Sequence, residues 1–251
     1  MDVGLTVGDS LDRLDATIAG FDFTELTIGE GGADPADLEE DRLRSLLEQH
    51  DVDLCVHLPF QQVLVTGVPE LDEAIVAYIE RLLRWAGSVD ARKAVLHGTV
   101  RDPHDTDQRP IFAEQLAAVS EIGDRVGVEV VVENVGHQKR GLQLSVLGDL
   151  ASETGTSICF DVGHAYVEDG NDGVKRFARK FGDLVSHVHV HDARRRRDTH
   201  IPIGAGEIDY GIVHEHLAPF EGTVAVEVFT DDVPLLRDSA RRAREHLCGS
   251  E

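Results

Sequence analysis

The sequence is short of lysine, sulfur and large aromatic rings. Its 251 residues include 4 Lys beside 20 Arg, 27 Asp and 20 Glu, with one Met, one Trp and three Tyr. A formal charge of −23 repels nucleic acid in ordinary salt. So large an acidic excess with so little lysine matches the make-up of proteins from salt-loving archaea, where carboxylates keep the surface hydrated. In molar salt the Debye length falls to ~3 Å and only local charge counts, so net charge argues weakly against DNA. Cys55, Cys159 and Cys248 form no CxxC pair, which excludes a zinc ribbon or a disulfide framework. Cys55 and Cys159 lie in apolar runs and are expected as buried thiols. No apolar run approaches the ~18 residues of a membrane span. The N-terminus, MDVGLTVGDSLDRLD, has no basic region followed by an apolar stretch. A soluble, cytoplasmic protein with no membrane partner is expected.

What the sequence does have is alternation. Short β-branched runs predict strands over 3–7, 23–28, 53–57, 93–97, 129–133, 157–161, 185–190 and 223–228. Helical patterns fall between them, at about 10–18, 36–49, 70–88, 107–126, 142–154, 172–181, 209–218 and 232–247. The alternation implies parallel strands with right-handed crossovers, and eight of each closes a TIM barrel. An open doubly wound sheet is the competing fold, but VGDS after the first strand is no dinucleotide loop. No low-complexity linker divides the chain. Residues 1–251 are therefore expected to form a single α/β domain, a (β/α)8 barrel. Two long loops, 58–69 and 191–208, follow strand C-termini, the catalytic face of such a barrel.

Six strands end in a residue able to bind a metal: His57, His97, Glu133, Asp161 with His164 three residues on, His189 and Glu227. Aligned strands bring these ends to one rim, so a scattered set becomes one cluster. Glu133 and Glu227 end apolar runs, where a carboxylate is costly unless it is paired or bound to a cation. Asp161 and His164 combine a hard carboxylate with an imidazole, which suits one ion or two neighbouring ones. His187, His189 and His191 share one face of the seventh strand, and all three cannot reach one ion. His189 is the expected ligand, with His187 deeper and His191 in the following turn as hydrogen-bonded groups. Asp198 and His200, two apart, can converge from an extended loop. Arg194 to Arg197 form a basic run that fits either a solvated face or an anionic group such as phosphate. His50, His104, His137, His214, His216 and His246 have no such positional support.

In this order, VHLPF, VENVG, CFDVGHA, HVHDAR, DTHIPIGAGEID and VEVF resemble the xylose isomerase-like TIM-barrel superfamily over nearly the whole chain. It contains sugar isomerases and epimerases and also the endonuclease IV family. The sugar phosphate isomerase/epimerase group is the most similar. The epimerase branch implies one divalent ion (Zn, Mn, Mg or Co) held by Glu133, Asp161, His189 and Glu227. Glu133 and Glu227 would then be the catalytic pair, moving a proton through an enediolate of a sugar or sugar phosphate. His164 and Arg195 would bind that substrate. The endonuclease IV branch implies up to three zinc ions and adds His57, His97, His164, Asp198 and His200 as ligands, for phosphoester hydrolysis at abasic DNA. The chain departs from both branches. No histidine ends the first strand (VGLTVGD), and IGEGGADPADL at 28–38 is acidic and without a ring. Asp198-Thr199-His200 stands where tagatose-type epimerases carry an arginine before Pro-Gly. The isomerase or epimerase is the preferred expectation.

Overall fold

The β-branched runs pair side by side, all in parallel, and close on themselves. The computed structural model describes residues 1–136 and 139–248. Its first half runs β1 (Asp2–Gly8), α1 (Leu11–Thr17), β2 (Phe23–Thr27), α2 (Glu40–His50), β3 (Asp53–His57), α3 (Pro69–Ser88), β4 (Lys93–His97) and α4 (Gln108–Val126). There follow β5 (Glu129–Glu133), α5 (Leu144–Thr154), β6 (Ser157–Asp161), α6 (Val162–Phe181) and β7 (Val185–Val190). A hairpin of β8 (Asp192–Arg194) and β9 (Arg197–Ile201) precedes α7 (Tyr210–Leu217), β10 (Thr223–Val226) and α8 (Val233–Leu247). β1 pairs with both β2 and β10, which closes a (β/α)8 TIM barrel. Among the described residues no helix is long and apolar enough to cross a membrane.

Three details differ from the expected elements. α6 begins at Val162 rather than near 172, because the Asp161 carboxylate accepts the His164 N–H and caps a helix there. Gly170 (φ 67°, ψ −164°) then breaks that helix, and the expected segment is its second part. The 191–208 loop contains the β8–β9 hairpin. The last strand stops at Val226, so Glu227 stands one residue beyond it.

Side chains along each strand alternate between two environments. Val3, Leu5 and Val7 of β1, with Val130 and Val132 of β5 and Val188 and Val190 of β7, join the main core beneath the helices. The other set faces the barrel interior. Apolar filling there comes from two small clusters, Phe23 with Cys55 and Ala225, and Val95 with Val131 and Cys159. Both strand cysteines are buried as expected, and burial pushes the Cys55 thiol up to about 12. Polar groups share this interior: Glu25 of β2 meets His187 and His189 of β7 across it, although β1 and β10 separate their strands in the barrel wall.

Phe23 fits inside because Gly4 has no side chain. A Cβ at Gly4 would lie 2.5 Å from the Phe23 ring. Gly4→Ala is expected to destabilise the fold by about 1–3 kcal/mol through overpacking, read as a lower denaturant midpoint. An unchanged or higher midpoint would show that the interior has room to spare.

Candidate metal centre

Inward residues recur at every second position, so the last inward residue of each strand stands at the same rim. Glu133 ends β5 beside its register partner His97 on β4. Its Oε2 lies 3.2 Å from His57 Nε2 and 3.3 Å from His97 Nε2, and its Oε1 lies 3.1 Å from His164 Nδ1. The far nitrogens of the two strand-end histidines face main-chain carbonyls, His57 Nδ1 at 2.7 Å from Leu58 and His97 Nδ1 at 3.1 Å from Phe60. A carbonyl only accepts, so each Nδ1 carries its hydrogen and each Nε2 is left to bind a proton or a metal. Burial would raise the Glu133 pKa, but the imidazoles of His97, His164 and His57 outweigh it and hold the carboxyl well below its usual range.

His189 shows the same logic more sharply. Its Nε2 lies 3.2 Å from the Glu25 carboxylate. Burial opposes ionisation of Glu25, yet the His189 and His187 rings hold its pKa well below the ordinary value. An ionised carboxylate accepts only, so His189 carries a hydrogen on Nε2, and its Nδ1 is left to bind a proton or a metal. Without a metal, burial is outweighed by Glu25 and Glu227, which hold the imidazole pKa well above its ordinary value. The Nδ1 nitrogen faces Glu227 Oε2 at 3.4 Å, and Asp161 Oδ2 and Glu133 Oε1 at 3.9 Å each. His189 Nδ1, Asp161 Oδ2 and Glu227 Oε2 are buried without a hydrogen-bond partner. An ion with bonds of ~2.0–2.2 Å holds tetrahedral ligand atoms ~3.3–3.6 Å apart, close to these separations. Mixed nitrogen and oxygen donors suit a divalent ion. The residues fit one.

Asp161 is positioned from both sides. Asn134 donates to its carbonyl (2.8 Å) and accepts its N–H (2.9 Å), tying the end of β5 to the end of β6. Its Oδ1 caps α6 and lies 3.3 Å from His191 Nε2, which leaves Oδ2 for the cluster.

A second, outer group comprises His164, His191, Asp198 and His200. Asp198 Oδ1 lies 2.7 Å from His200 Nε2. Lys139 is ion-paired with Asp198 Oδ2 and donates to His164 Nε2 at 3.0 Å. The His200 ring lies between those of His191 and Phe229, at centroid distances of 3.8 and 4.1 Å. The Asp192 carboxylate holds the returning loop by accepting the N–H groups of Ala193, Gly204, Gly206 and Ile208. A side chain at Gly206 would strike that carboxylate. Both groups open into a cavity of about 290 Å³, whose walls also include Arg13, Lys139, Phe60 and Phe229.

The sequence model of the family described as Xylose isomerase-like TIM barrel matches residues 15–248. The chain belongs to that family. A D-tagatose 3-epimerase-like protein has a similar structure, 22% identical with a TM-score of 0.78, over 98% of this chain and 97% of that one. A D-allulose 3-epimerase from Methylomonas sp., solved in complex with D-allulose, is 14% identical, with a TM-score of 0.75 and the same coverage of 98% and 97%. A protein from Thermus thermophilus, its crystal soaked with ZnCl2, is 26% identical over 100% of both chains, with a TM-score of 0.70. These structures share the fold.

In this xylose isomerase-like barrel, His57, His97, Glu133, Asp161, His164, His189, Asp198, His200 and Glu227 gather at one mouth. Arg195 does not join them. It occupies the β8–β9 turn with φ 55°, is exposed, and its backbone N–H donates to Glu207 Oε2. Pairing of β8 with β9 carries the tip of the hairpin, and the basic run with it, away from the cavity wall. Arg13 and Lys139 supply cationic groups there instead. His187 is deeper, 2.6 Å from Thr223 Oγ1 and 3.1 Å from Glu25. His191 packs against Asp161, nearer the ligands than a turn histidine was expected to be. Of the histidines without positional support, His137 lies outside the described residues, and the other five do not line the cavity. Glu25, Lys139 and Arg13 were not anticipated. Glu25 had one available signal, a carboxylate at the inward parity in the middle of a strand, FTELT.

Glu25→Gln keeps the shape but weakens the acceptor that orients His189. Metal affinity is expected to fall ~10–100-fold, read by titration against a chelating dye, with the thermal unfolding of the metal-free protein retained. Unchanged affinity would remove His189 or its orienting partner from the site.

Proposed function

We propose that the protein is a divalent-metal-dependent isomerase or epimerase of a sugar or sugar phosphate. The observation that carries this is the pair Glu133 and Glu227, both ionised, both lining a small cavity and both facing His189 Nδ1. At about 290 Å³ the cavity sits at the small end of the ~300–1,000 Å³ range of ligand sites. That size suits a monosaccharide rather than a duplex. The rim segment after β2 carries Glu30, Asp34 and Asp37, which repel a phosphate backbone.

Glu133, Asp161, His189 and Glu227 would hold the ion. When bound, it supplies Lewis-acid polarisation of neighbouring carbonyl and hydroxyl oxygens, which acidifies the C–H between them. One glutamate removes that proton from one face and the other delivers a proton on the opposite face. Glu227 is the more open of the two, with 16% of its side chain exposed against 1% for Glu133, so it exchanges its proton with solvent more readily. His164, its Nδ1 held by Glu133 and Asp161, lines the cavity and would meet a substrate oxygen through Nε2 once Lys139 turns from it to the substrate. Arg13 and Lys139 are the wall cations available to a phosphate. Phe60 and Phe229, exposed at the rim, offer apolar faces to a sugar ring.

A second activity is favoured by one observation. His57 with His97 and Glu133, Asp161 with His189 and Glu227, and His164 with Asp198 and His200 form three adjacent ligand groups. Three zinc ions so placed would suit a phosphoester hydrolase of the endonuclease IV kind.

Metal-loaded protein, assayed at high salt to suit its acidic surface, is expected to interconvert members of a ketose and aldose panel. In D2O it should incorporate deuterium at the inverted carbon. Glu133→Gln and Glu227→Gln should each lower turnover by about 10²–10⁴-fold. No deuterium incorporation across the panel would reject the proposal. Nicking of an abasic duplex, lost in Glu227→Gln, would support the hydrolase.

A further inference from the structure

The inner and outer groups differ in one respect that bears on how many ions the mouth holds. Around His189 the ligand atoms are unsatisfied: His189 Nδ1, Asp161 Oδ2 and Glu227 Oε2 are buried and have no hydrogen-bond partner. In the outer group His191 Nε2, which faces Asp161, also lacks a hydrogen-bond partner, but the atoms of Asp198, His200 and His164 that face one another are occupied. Asp198 Oδ2 pairs with the Lys139 ammonium, Asp198 Oδ1 with His200 Nε2, and His164 Nε2 accepts from Lys139 at 3.0 Å. Lys139 belongs to the segment between β5 and α5 and lines the cavity beside the outer group.

We propose that Lys139 is a tethered cation that takes the place of a metal ion in the outer group. Its ammonium sits on the carboxylate oxygen and the imidazole nitrogen that such an ion would need. A divalent cation binds that oxygen less tightly beside an ammonium a few ångströms away, because like charges in a half-buried site repel. Unlike an ion, the ammonium has three N–H donors in a fan. Asp198 and His164 take two of them. Lys139 is also a wall of the cavity and has 43% of its side chain exposed, so the remaining donor can meet a substrate oxygen. Lys139 is thereby a specificity-determining residue. It keeps the outer group free of an ion and presents a hydrogen-bonding cation to a polyhydroxylated or anionic substrate. The inference rests on the proposed metal-dependent site and separates its isomerase form from three-ion hydrolysis.

The test counts zinc per chain by elemental analysis, after loading at slight excess and gel filtration, in the wild type, Lys139→Met and Lys139→Arg. Lys139→Met keeps the aliphatic stem and removes the charge, and it should hold one more ion per chain than the wild type. Lys139→Arg keeps the charge and should match the wild type. The extra ion should disappear in Lys139→Met combined with Asp198→Asn. Equal zinc in the wild type and Lys139→Met overturns the role of Lys139 while leaving the inner site standing. Absence of zinc from every variant overturns the inner site as well. The circular dichroism spectrum of each variant distinguishes lost metal from lost fold.

Discussion

Around His189 Nδ1 the carboxylates of Glu133, Asp161 and Glu227 approach to 3.4–3.9 Å, and Asp161 Oδ2 and Glu227 Oε2 are buried there without a hydrogen-bond partner. Acceptors crowded in this way inside a protein are destabilising unless a cation lies among them. Glu25 creates the condition from below, since its carboxylate claims the Nε2 hydrogen of His189 and so leaves Nδ1 to face the mouth. Asn134 and the cap of α6 create it from the side by fixing which oxygen of Asp161 is free. The barrel, the polar interior and the loop clamp at Asp192 all serve to hold those few atoms at that spacing.

The parallel barrel was legible because its signals are periodic and repeated. Eight β-branched runs alternate with helical patterns, and tertiary packing altered boundaries rather than the order of elements. The gathering of the strand-end residues at one mouth was legible for the same reason, since strand ends in a closed parallel barrel share a level. Glu25 was harder to see. It sits in mid-strand, where an acidic residue in FTELT reads as solvent-facing until the partner across the barrel is known. Lys139 and His191 depend on contacts between loops far apart in sequence, which carry no period. The Arg194–Arg197 run misled for a physical reason. Charge composition locates a cation along the chain, whereas the β8–β9 pairing decides which way it points. The helical start at Val162 rests on the Asp161 cap, a local contact that the apolar period of the sequence does not report.

The contrast between surface and cavity bears on the substrate class. The protein carries −23 formal charges, yet the mouth concentrates imidazoles, with Arg13 and Lys139 in its wall. A small oxygen-rich molecule gains directional hydrogen bonds there without meeting the acidic exterior. A duplex would have to press its phosphates against the acidic segment after β2, at a cost that falls in high salt. A shared fold does not choose between the two chemistries, so the atoms at the mouth decide between them.

The central claim is that a divalent ion belongs among Glu133, Asp161, His189 and Glu227. Anomalous diffraction from crystals grown with manganese, collected above and below the metal edge, tests it most directly. A peak within bonding distance of His189 Nδ1 and all three carboxylates is the expected result. A fully ordered cluster at neutral pH with no anomalous peak there, or a peak ligated without His189, would contradict it.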